Sequence, residues 1–176
     1  VSALEFRAAI PVNLRSEADG GKLGNKFGLV FLTLPVNIEE PLMRLTEVRR
    51  RMEDLKHSAE APVTLGILGM MGVGTDSFRE FVVRTLEPKA TVVLTNVPGP
   101  PIPLYLAGQQ IKEMMFWVPQ SGTVGMGVSI LSYGGGVQFG VMTDSTLCPD
   151  PQKIIDEFEP EFAKLAMVTL MLPWGE

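Results

Sequence analysis

The sequence predicts an α/β domain in which helices pack on one mixed β-sheet. Apolar runs of strand length alternate with segments of helical periodicity, in the order β-β-α-α-α-β-β-β-β-α. Hydrophobic residues make up 45% of the 176 residues and charged residues 20%, which is enough apolar material for the core of a single domain. The 18 glycines and 14 prolines are scattered along the chain, as expected where many turns connect short elements.

The first half of the chain contains two predicted strands and then three predicted helices. The strands are Leu4–Val12 and Phe27–Pro35, separated by a polar, glycine-rich loop at Asn13–Asn25. Residues 62–87 are expected to form two short helices. The clearest helix is Glu39–Ser58, because its apolar residues recur every three or four positions and build one stripe: Leu42, Leu45, Val48, Met52 and Leu55.

Two more strands are predicted around a proline-rich segment. The apolar run at 90–95 is typical of a buried strand, and Gln109–Val118 is expected to be another. Between them, Thr95–Gly108 contains four of the 14 prolines. Proline fixes φ and lacks a backbone donor, so this segment is expected to be a rigid loop and neither a helix nor a central strand.

The chain is predicted to end with a hairpin and a helix. Gly125–Tyr133 and Val137–Thr143 flank three glycines, which tolerate the positive φ that a tight turn needs. Pro151–Leu170 is expected to be a helix, kinked at Pro160.

Composition excludes several classes of function. A net charge of −5 without an extended basic block argues against nucleic acid as a partner, since phosphate binding needs clustered Lys and Arg. With one cysteine, Cys148, and one histidine, His57, the chain can form neither an internal disulfide nor a Cys- or His-rich metal site, and we expect no metal. The apolar runs are too short for a membrane span. A reducing, cytoplasmic setting fits this composition.

No self-contained catalytic set is predicted from residue spacing. His57 lies near the end of the charged helix, where a residue that carries partial positive charge is favoured by the helix dipole, so we interpret it as a solvated residue and not as a general base. Cys148 precedes a proline and has no histidine nearby in sequence to activate it.

Five blocks of the sequence, in this order, resemble the C-terminal half of the bacterial wax ester synthase/diacylglycerol acyltransferase family. The block TNVPGP…PLYLAG is the most specific part, and LSY-GG-x-x-FG supports it. Together the blocks cover nearly the whole chain: RAAIPVNLR (Arg7–Arg15), LGNKFGLVFLTLPV (Leu23–Val36), RLTEVRRRMEDLK (Arg44–Lys56), KATVVLTNVPGPPIPLYLAGQQI (Lys89–Ile111) and VSILSYGGGVQFGVMTDSTLCPD (Val128–Asp150).

The resemblance implies a chloramphenicol acetyltransferase-like half-domain over residues 1–176. In that family two similar halves pack around a solvent tunnel, and the N-terminal half carries His-His-x-x-x-Asp-Gly, whose second histidine is the base. This sequence lacks that motif, so the catalytic N-terminal half is expected to be absent from the chain. The implied reaction moves a long-chain acyl group from acyl-CoA to an alcohol or diacylglycerol, giving a wax ester or triacylglycerol. Acyl-CoA is then a substrate, and no cofactor is expected.

The resemblance also implies site residues. Thr95 matches the position of a serine whose hydroxyl holds the oxyanion in related acyltransferases, and a donor fixed at the end of a strand needs little reorganisation as charge develops. Asn96 is the neighbouring candidate for the same position, although an asparagine there also fits a simple turn cap. The tunnel-lining candidates are those of the proline segment and of the hairpin, where Ser132-Tyr133 replaces histidines of the relatives that keep the motif: Val97, Pro98, Gly99, Pro100, Ser132 and Tyr133.

The partners implied are the N-terminal half of the same enzyme, acyl-CoA and the acceptor lipid. Exposed apolar surface on a lone half would favour self-association. Contact with a membrane or lipid droplet is expected to be peripheral at most. The alternative hypothesis is a non-catalytic module that binds acyl-CoA or lipid, or that acts as a scaffold for a separate chain carrying the histidine motif.

Overall fold

A five-stranded sheet organises the chain. The structure, a computed structural model, describes residues 6–16, 26–86, 90–119 and 123–171. Its elements in chain order are β1 (Phe6–Asn13), β2 (Phe27–Leu34), α1 (Pro41–Lys56), α2 (Glu60–Val73), α3 (Asp76–Leu86), β3 (Val92–Pro98), β4 (Tyr105–Leu106), β5 (Gln109–Gln110), β6 (Met126–Tyr133), β7 (Gly136–Thr143) and α4 (Gln152–Met171).

The sheet is mixed, with the strand order β2-β1-β3-β6-β7. The outer pairs β1–β2 and β6–β7 are antiparallel, whereas the central strand β3 runs parallel to both of its neighbours. Gly134 and Gly135 have φ of 55° and 89°, so the turn between β6 and β7 uses the positive φ that the glycine run predicted. The predicted α/β fold with a mixed sheet is confirmed.

The main core lies on one face of the sheet. Ala8, Leu32, Val92 and Val128 are buried there, and α1 packs against them through Val48, Met52 and Leu55. These three side chains belong to the apolar stripe predicted for this helix. On the same face, α4 stacks Phe158 on Phe139 of β7, with ring centroids 4.0 Å apart. The helix continues through Pro160.

The other face of the sheet is partly covered by α2 and α3. Side chains from both helices, including Leu68 and Val82, line a cavity against Ala9 of β1 and Val93 of β3. Successive residues of a strand point to opposite faces, so the odd-numbered residues of β1 and β3 share this second face. The second face therefore combines helix-covered and open areas, and it carries the candidate site.

The exposed edge of β2 is capped by side chains of α1 and α2. The Thr64 hydroxyl accepts a hydrogen bond from Leu29 N at 2.7 Å and donates to Leu29 O at 2.8 Å. One pleat along, Glu60 Oε1 accepts from Phe31 N at 3.2 Å. These contacts satisfy backbone groups that an edge strand would otherwise offer to another chain.

The cap is completed by Arg51, which donates to Thr33 O and to Glu47, both at 2.6 Å. Hydrogen bonds from Arg50 and Arg51 lower the pKa of Glu47 from 4.5 to about 2. The Glu47 carboxylate therefore stays charged through the whole neutral range and holds Arg51 in position for the strand edge.

One predicted strand is wrong in its extent. The strand expected at Gln109–Val118 is limited to Gln109–Gln110, which pairs with Tyr105–Leu106 in a separate small hairpin. The rest of that run packs on the sheet and does not join it. The Met115 side chain lies so close to Gly140 of β7 that a Cβ at position 140 would be 2.0 Å from it. Its apolar residues therefore reflect packing on β7 and not strand alternation. Residues 1–5 and 17–25, which include parts of the predicted first strand and loop, lie outside the described residues.

The proline segment also begins differently from the prediction. Thr95–Pro98 belong to the central strand β3 and pair with Ser129–Ser132 of β6. On the other side of β3, pairing with β1 includes only Val92 and Val93. A proline is tolerated in β3 because this end of the strand has a partner on one side only, which makes it equivalent to an edge.

Thr64→Val is expected to lower the free energy of unfolding by about 1–3 kcal/mol, because it leaves Leu29 N and Leu29 O without their shared partner at a buried position. Urea unfolding followed by circular dichroism measures the change. Thr85→Val is the matched control, since the Thr85 hydroxyl donates to the Phe81 carbonyl of its own helix at an exposed position. Equal stability of the two variants would contradict the proposed role of the cap.

Candidate functional site

An apolar cavity lies between the second face of the sheet and helices α2 and α3. Its volume is about 260 Å³. The lining residues are apolar: Ala9, Leu29, Phe31, Leu68, Met71, Val82, Val83, Ala90, Val93 and Val124. A cavity of this composition is suited to a hydrocarbon, since apolar cavities of about 150 Å³ already bind benzene.

A second, more polar cleft opens farther along the same strands. It has a volume of about 560 Å³ and lies at the carboxyl ends of β1 and β3, with β2 beside it. Its lining contains Thr95 and Asn96 together with two cationic residues: Pro11, Asn13, Arg15, Lys26, Phe27, Thr95, Asn96, Val97 and Pro98. Ligand sites commonly form at the carboxyl ends of parallel strands.

Thr95 belongs to the lining of the polar cleft. It follows Val93 of the apolar cavity by two residues on β3, so the two side chains point to the same face and lie about 7 Å apart along the strand. Thr95 is half-buried, and its hydroxyl makes no hydrogen bond to the residues that the structure describes. The hydroxyl is therefore available to a ligand in the polar cleft.

Asn96 differs from Thr95 in its position on the strand. Alternation directs its side chain toward the opposite face, and the residue is exposed. Val97 follows on the cleft face, and Pro98 ends the strand. The structure thus brings Thr95, Asn96, Val97 and Pro98 together at one cleft, with Thr95 nearest to the apolar cavity.

Gly99 and Pro100 hold the proline segment against the β6–β7 turn. Gly99 N donates to Ser132 O at 2.9 Å, and Gly134 N donates to Pro100 O at 3.2 Å. A Cβ at position 99 would lie 2.2 Å from Ser132 O, so only glycine permits this approach. These two residues position the loop and do not line the cleft beside Thr95.

Ser132 and Tyr133 are placed differently from each other. Ser132 is exposed, whereas Tyr133 is buried with 5% of its surface accessible. Tyr133 Oη accepts from Leu104 N at 2.8 Å and donates to Ile111 O at 2.7 Å. It therefore fastens both ends of the small β4–β5 hairpin to the sheet. Neither residue lines the cleft beside Thr95.

The β4–β5 hairpin presents an exposed apolar tip. Ala107 and Gly108 have φ of 50° and 80°, which matches a tight two-residue turn. The large apolar residues before this turn are exposed: Ile102, Tyr105 and Leu106. A rigid apolar projection of this kind is typical of a surface that contacts a partner.

Pro11, Asn13, Arg15 and Lys26 were not identified as site residues from the sequence. The signal that could have indicated them is Pro11, because a proline within an apolar strand marks a gap in the hydrogen-bond ladder. Arg15 and Lys26 are separated by a loop in sequence, and only the β1–β2 pairing brings them together: Leu14 N donates to Lys26 O at 3.0 Å.

The structure provides no histidine base for this site. His57, the one histidine of the sequence, caps the C-terminus of α1, where its side chain is 78% exposed and contacts Glu53 at 3.2 Å. Within the described ranges, no group of three His, Cys, Asp or Glu residues could hold a metal ion.

Residues 23–166 match the family model described as the WS/DGAT C-terminal domain. Among curated proteins, the chain is similar to the probable diacylglycerol O-acyltransferase tgs1 of Mycobacterium tuberculosis, with 26% identity over 168 residues that cover 93% of this chain and 36% of that protein. It is also similar to wax ester synthase/diacylglycerol acyltransferase 8 of Arabidopsis thaliana, with 27% identity over 187 residues that cover 94% of this chain and 36% of the relative.

The fold is similar to that of a solved wax ester synthase/diacylglycerol acyltransferase from Marinobacter aquaeolei VT8. The TM-score is 0.60 at 20% sequence identity, and the match covers 93% of this chain and 37% of the solved chain. The chain thus spans little more than a third of the length of these relatives.

Tyr133→Phe is expected to loosen the β4–β5 hairpin and to lower the free energy of unfolding by about 1–3 kcal/mol, because Leu104 N and Ile111 O lose their common partner. Hydrogen exchange of residues 104–111 should accelerate. Tyr105→Phe is the control, since Tyr105 lies on the same hairpin but is 66% exposed. Unchanged exchange in Tyr133→Phe would show that the hairpin does not depend on this hydroxyl.

Proposed function

Since this chain belongs to the WS/DGAT C-terminal domain family, we propose that it is the C-terminal half of an acyl-CoA-dependent O-acyltransferase. The reaction moves a long-chain acyl group from acyl-CoA to an alcohol or to diacylglycerol. The N-terminal half of the same enzyme supplies the catalytic base. This half supplies one wall of the substrate tunnel and a hydrogen-bond donor for the oxyanion, and acyl-CoA enters as a substrate without a further cofactor.

The main observation that supports this proposal is that Val93, a lining residue of the apolar cavity, lies two residues before Thr95 on the same face of β3. An acyl chain that occupies the cavity beside Val93 directs its polar end along β3 toward Thr95. A neutral hydroxyl there donates to the oxygen on which charge develops when the alcohol attacks the acyl carbonyl. Because strand pairing with β6 fixes the backbone of Thr95, the donor needs little reorganisation.

Strand alternation favours Thr95 over Asn96 as this donor. The Thr95 side chain shares the sheet face of the apolar cavity, whereas that of Asn96 is directed toward the other face. We therefore assign the oxyanion contact to Thr95. Val97 and Pro98 extend the tunnel wall, Gly99 and Pro100 keep that wall against the hairpin turn, and Ser132 and Tyr133 support it from β6.

The position of the single histidine, His57, supports the proposal that a second half must supply the catalytic base. His57 is exposed on α1 and hydrogen-bonds Glu53, a position that suits a solvated helix end and not a general base. We propose that the N-terminal half docks on this chain and covers part of its exposed apolar surface, which includes the β4–β5 tip. In its absence the same surface promotes self-association.

Contact with lipid is proposed to be peripheral and to occur on the cytoplasmic side. None of the helices within the described ranges is long and apolar enough to cross a membrane. The acceptor and the product are both lipids, so the tunnel must exchange them with a membrane or a lipid droplet surface.

The second candidate function is a non-catalytic module that binds acyl-CoA or lipid, or that scaffolds a separate chain with the histidine motif. The apolar cavity supports this candidate, since it could bind an acyl chain without a catalytic base. Release of thiol from palmitoyl-CoA in the presence of a long-chain alcohol separates the two functions. The chain alone should release none, and addition of the N-terminal half should restore release.

Thr95→Val in the two-half enzyme is expected to lower kcat about 10²–10³-fold with little change in KM, because it removes a transition-state donor at nearly constant side-chain volume. Thr95→Ser should retain most of the turnover. Asn96→Ala is the matched control on the adjacent residue and should have a small effect. Full turnover of the double variant Thr95→Val/Asn96→Ala would contradict the proposed role.

A further inference from the structure

The two outer edges of the sheet differ in how their backbone groups are satisfied. On β2, the outward-pointing groups receive side-chain partners from α1 and α2. On the β7 side, Asp144 N donates to Gly125 O at 2.8 Å, so the even-numbered residues bond β6 and the odd-numbered residues point outward. Within the described ranges, no residue supplies a partner to the outward backbone groups of Val137, Phe139 or Val141. The β7 edge is therefore open.

Strand β7 also lacks the features by which edge strands usually avoid pairing. Its eight residues, GVQFGVMT, include no charged residue and no proline. It pairs with β6 residue by residue over its whole length, without a bulge. The side chain of Val137 is 59% exposed. A regular, uncharged edge of this kind favours the addition of another strand.

Two interactions define how α4 is rotated about its axis. Phe158 points to the sheet, because its ring stacks on Phe139 of β7. Glu161, nearly one turn later, points toward α1. The pKa of its carboxyl group is lowered by the hydrogen bond from Lys164 and further by the positive charge of Arg44 on α1. One flank of α4 therefore faces α1 and the middle of the sheet, and the opposite flank faces outward past β7.

The outward flank of α4 is apolar and exposed. At about 100° per residue, Ile155 and Phe162 lie on the side of Phe158 that is opposite to Glu161. They are two helical turns apart and so form one stripe along the helix. Phe162 is 61% exposed and Ile155 37%. An apolar stripe thus lies beside an open strand edge.

We infer that a second copy of this chain occupies this surface. The two β7 strands pair antiparallel about a twofold axis, and the two α4 flanks contact each other above them. Such an interface is isologous, because each copy offers the same surface to the other. The inference goes beyond the acyltransferase assignment and does not depend on it.

Strand β7 is self-complementary in one register. With Gly140 of both copies at the axis, Val137 lies opposite Thr143 of the other copy, and Phe139 lies opposite Val141. Every outward-pointing residue of β7 then has a partner, and each of these pairs exchanges two backbone hydrogen bonds. Aromatic residues opposite β-branched ones are favourable cross-strand pairs, and no like charges meet.

A second copy covers both parts of the surface, whereas a single added strand covers one. An extended segment of another protein would complete the edge of β7 but would leave Ile155 and Phe162 exposed. A second copy brings its own α4, and a twofold axis perpendicular to the sheet places both helices on the same face. The interface includes neither the β4–β5 tip nor the cleft beside Thr95.

The first test measures the dissociation constant of the dimer by sedimentation equilibrium. The 176-residue chain carries Leu106→Ser throughout, so that the exposed leucine of the β4–β5 tip does not contribute. Val137→Pro removes one outward N–H from each copy and should weaken dimerisation roughly tenfold or more. Val137→Thr is the matched control, because it keeps the N–H and the β-branched shape. Equal dissociation constants of these two variants would overturn the inference.

The second test addresses the α4 flank. Phe162→Ser should weaken dimerisation roughly tenfold, since it removes an aromatic residue from the centre of the helix contact. Met167→Ser is the matched control, because Met167 is 60% exposed but lies on another side of α4. Equal effects of the two substitutions would show that this flank takes no part, and the assignment to a second copy would be wrong.

The register is tested by oxidative cross-linking in a Cys148→Ser background, which removes the native thiol. The double variant Val137→Cys/Thr143→Cys should form a disulfide-linked dimer, since Cα atoms of a hydrogen-bonded pair are about 5.5 Å apart. Val137→Cys alone should not, because the two copies of residue 137 would lie about 20 Å apart along the strands. Cross-linking of the single variant without that of the double variant would exclude this pairing.

Hydrogen exchange in the two-half enzyme distinguishes a second copy from the N-terminal half. In the dimer, the outward amides of Phe139 and Val141 should be protected, and dilution should remove this protection. The amide of Gly140 bonds β6 and should stay protected throughout. A monomeric enzyme with protected outward amides would mean that the N-terminal half occupies the edge. That result would overturn the inference, as would rapid exchange of both amides at every concentration.

Discussion

Each strand of the sheet has backbone N–H and C=O groups along both of its edges, and these groups need hydrogen-bond partners. In the β1–β2 pair, the outer edge of β2 is supplied with such partners, whereas the inner edge of β1 is left partly open. On the outer edge of β2, Thr64, Glu60 and Arg51 supply side-chain partners to three successive outward-facing residues. On the inner side of β1, Pro11 withholds a donor and the ladder opens. Closure on one edge protects the fold, and opening on the other creates the cleft.

Close backbone approaches at two glycines arrange the remaining walls of the site. Gly99 lets the proline segment contact β6, and Gly140 lets Met115 and Trp117 cover β7. The phenol of Tyr133 then fixes the hairpin that lies between these segments. The position of the proline segment is thus determined by close contacts at glycines and by one buried hydroxyl. The prolines make the segment stiff.

Much of the fold could be predicted from periodicity. The helix α1 with the core contacts of Val48, Met52 and Leu55, the hairpin around Gly134 and the mixed sheet follow from local patterns and are confirmed, whereas Leu45 of the predicted stripe is exposed. The strand predicted at Gln109–Val118 is wrong, because apolar residues that cover a sheet have the same composition as residues within one. For the site, the sequence indicated Thr95 through a family resemblance, but Arg15 and Lys26 meet only through strand pairing, which composition does not encode.

The central position of β3 has a consequence for how the domain assembles. The pairs β1–β2 and β6–β7 join strands that are near in sequence and can form early as local hairpins. β3 is parallel to both of its neighbours, and its contact with β1 joins Ala8 to Val92 across all three N-terminal helices. Most of the entropy cost of closing long loops is therefore incurred in one late step, in which β3 inserts between two preformed hairpins. Until that event, each hairpin exposes a bare inner edge, so an interrupted or crowded folding reaction would expose this domain to aggregation at those edges.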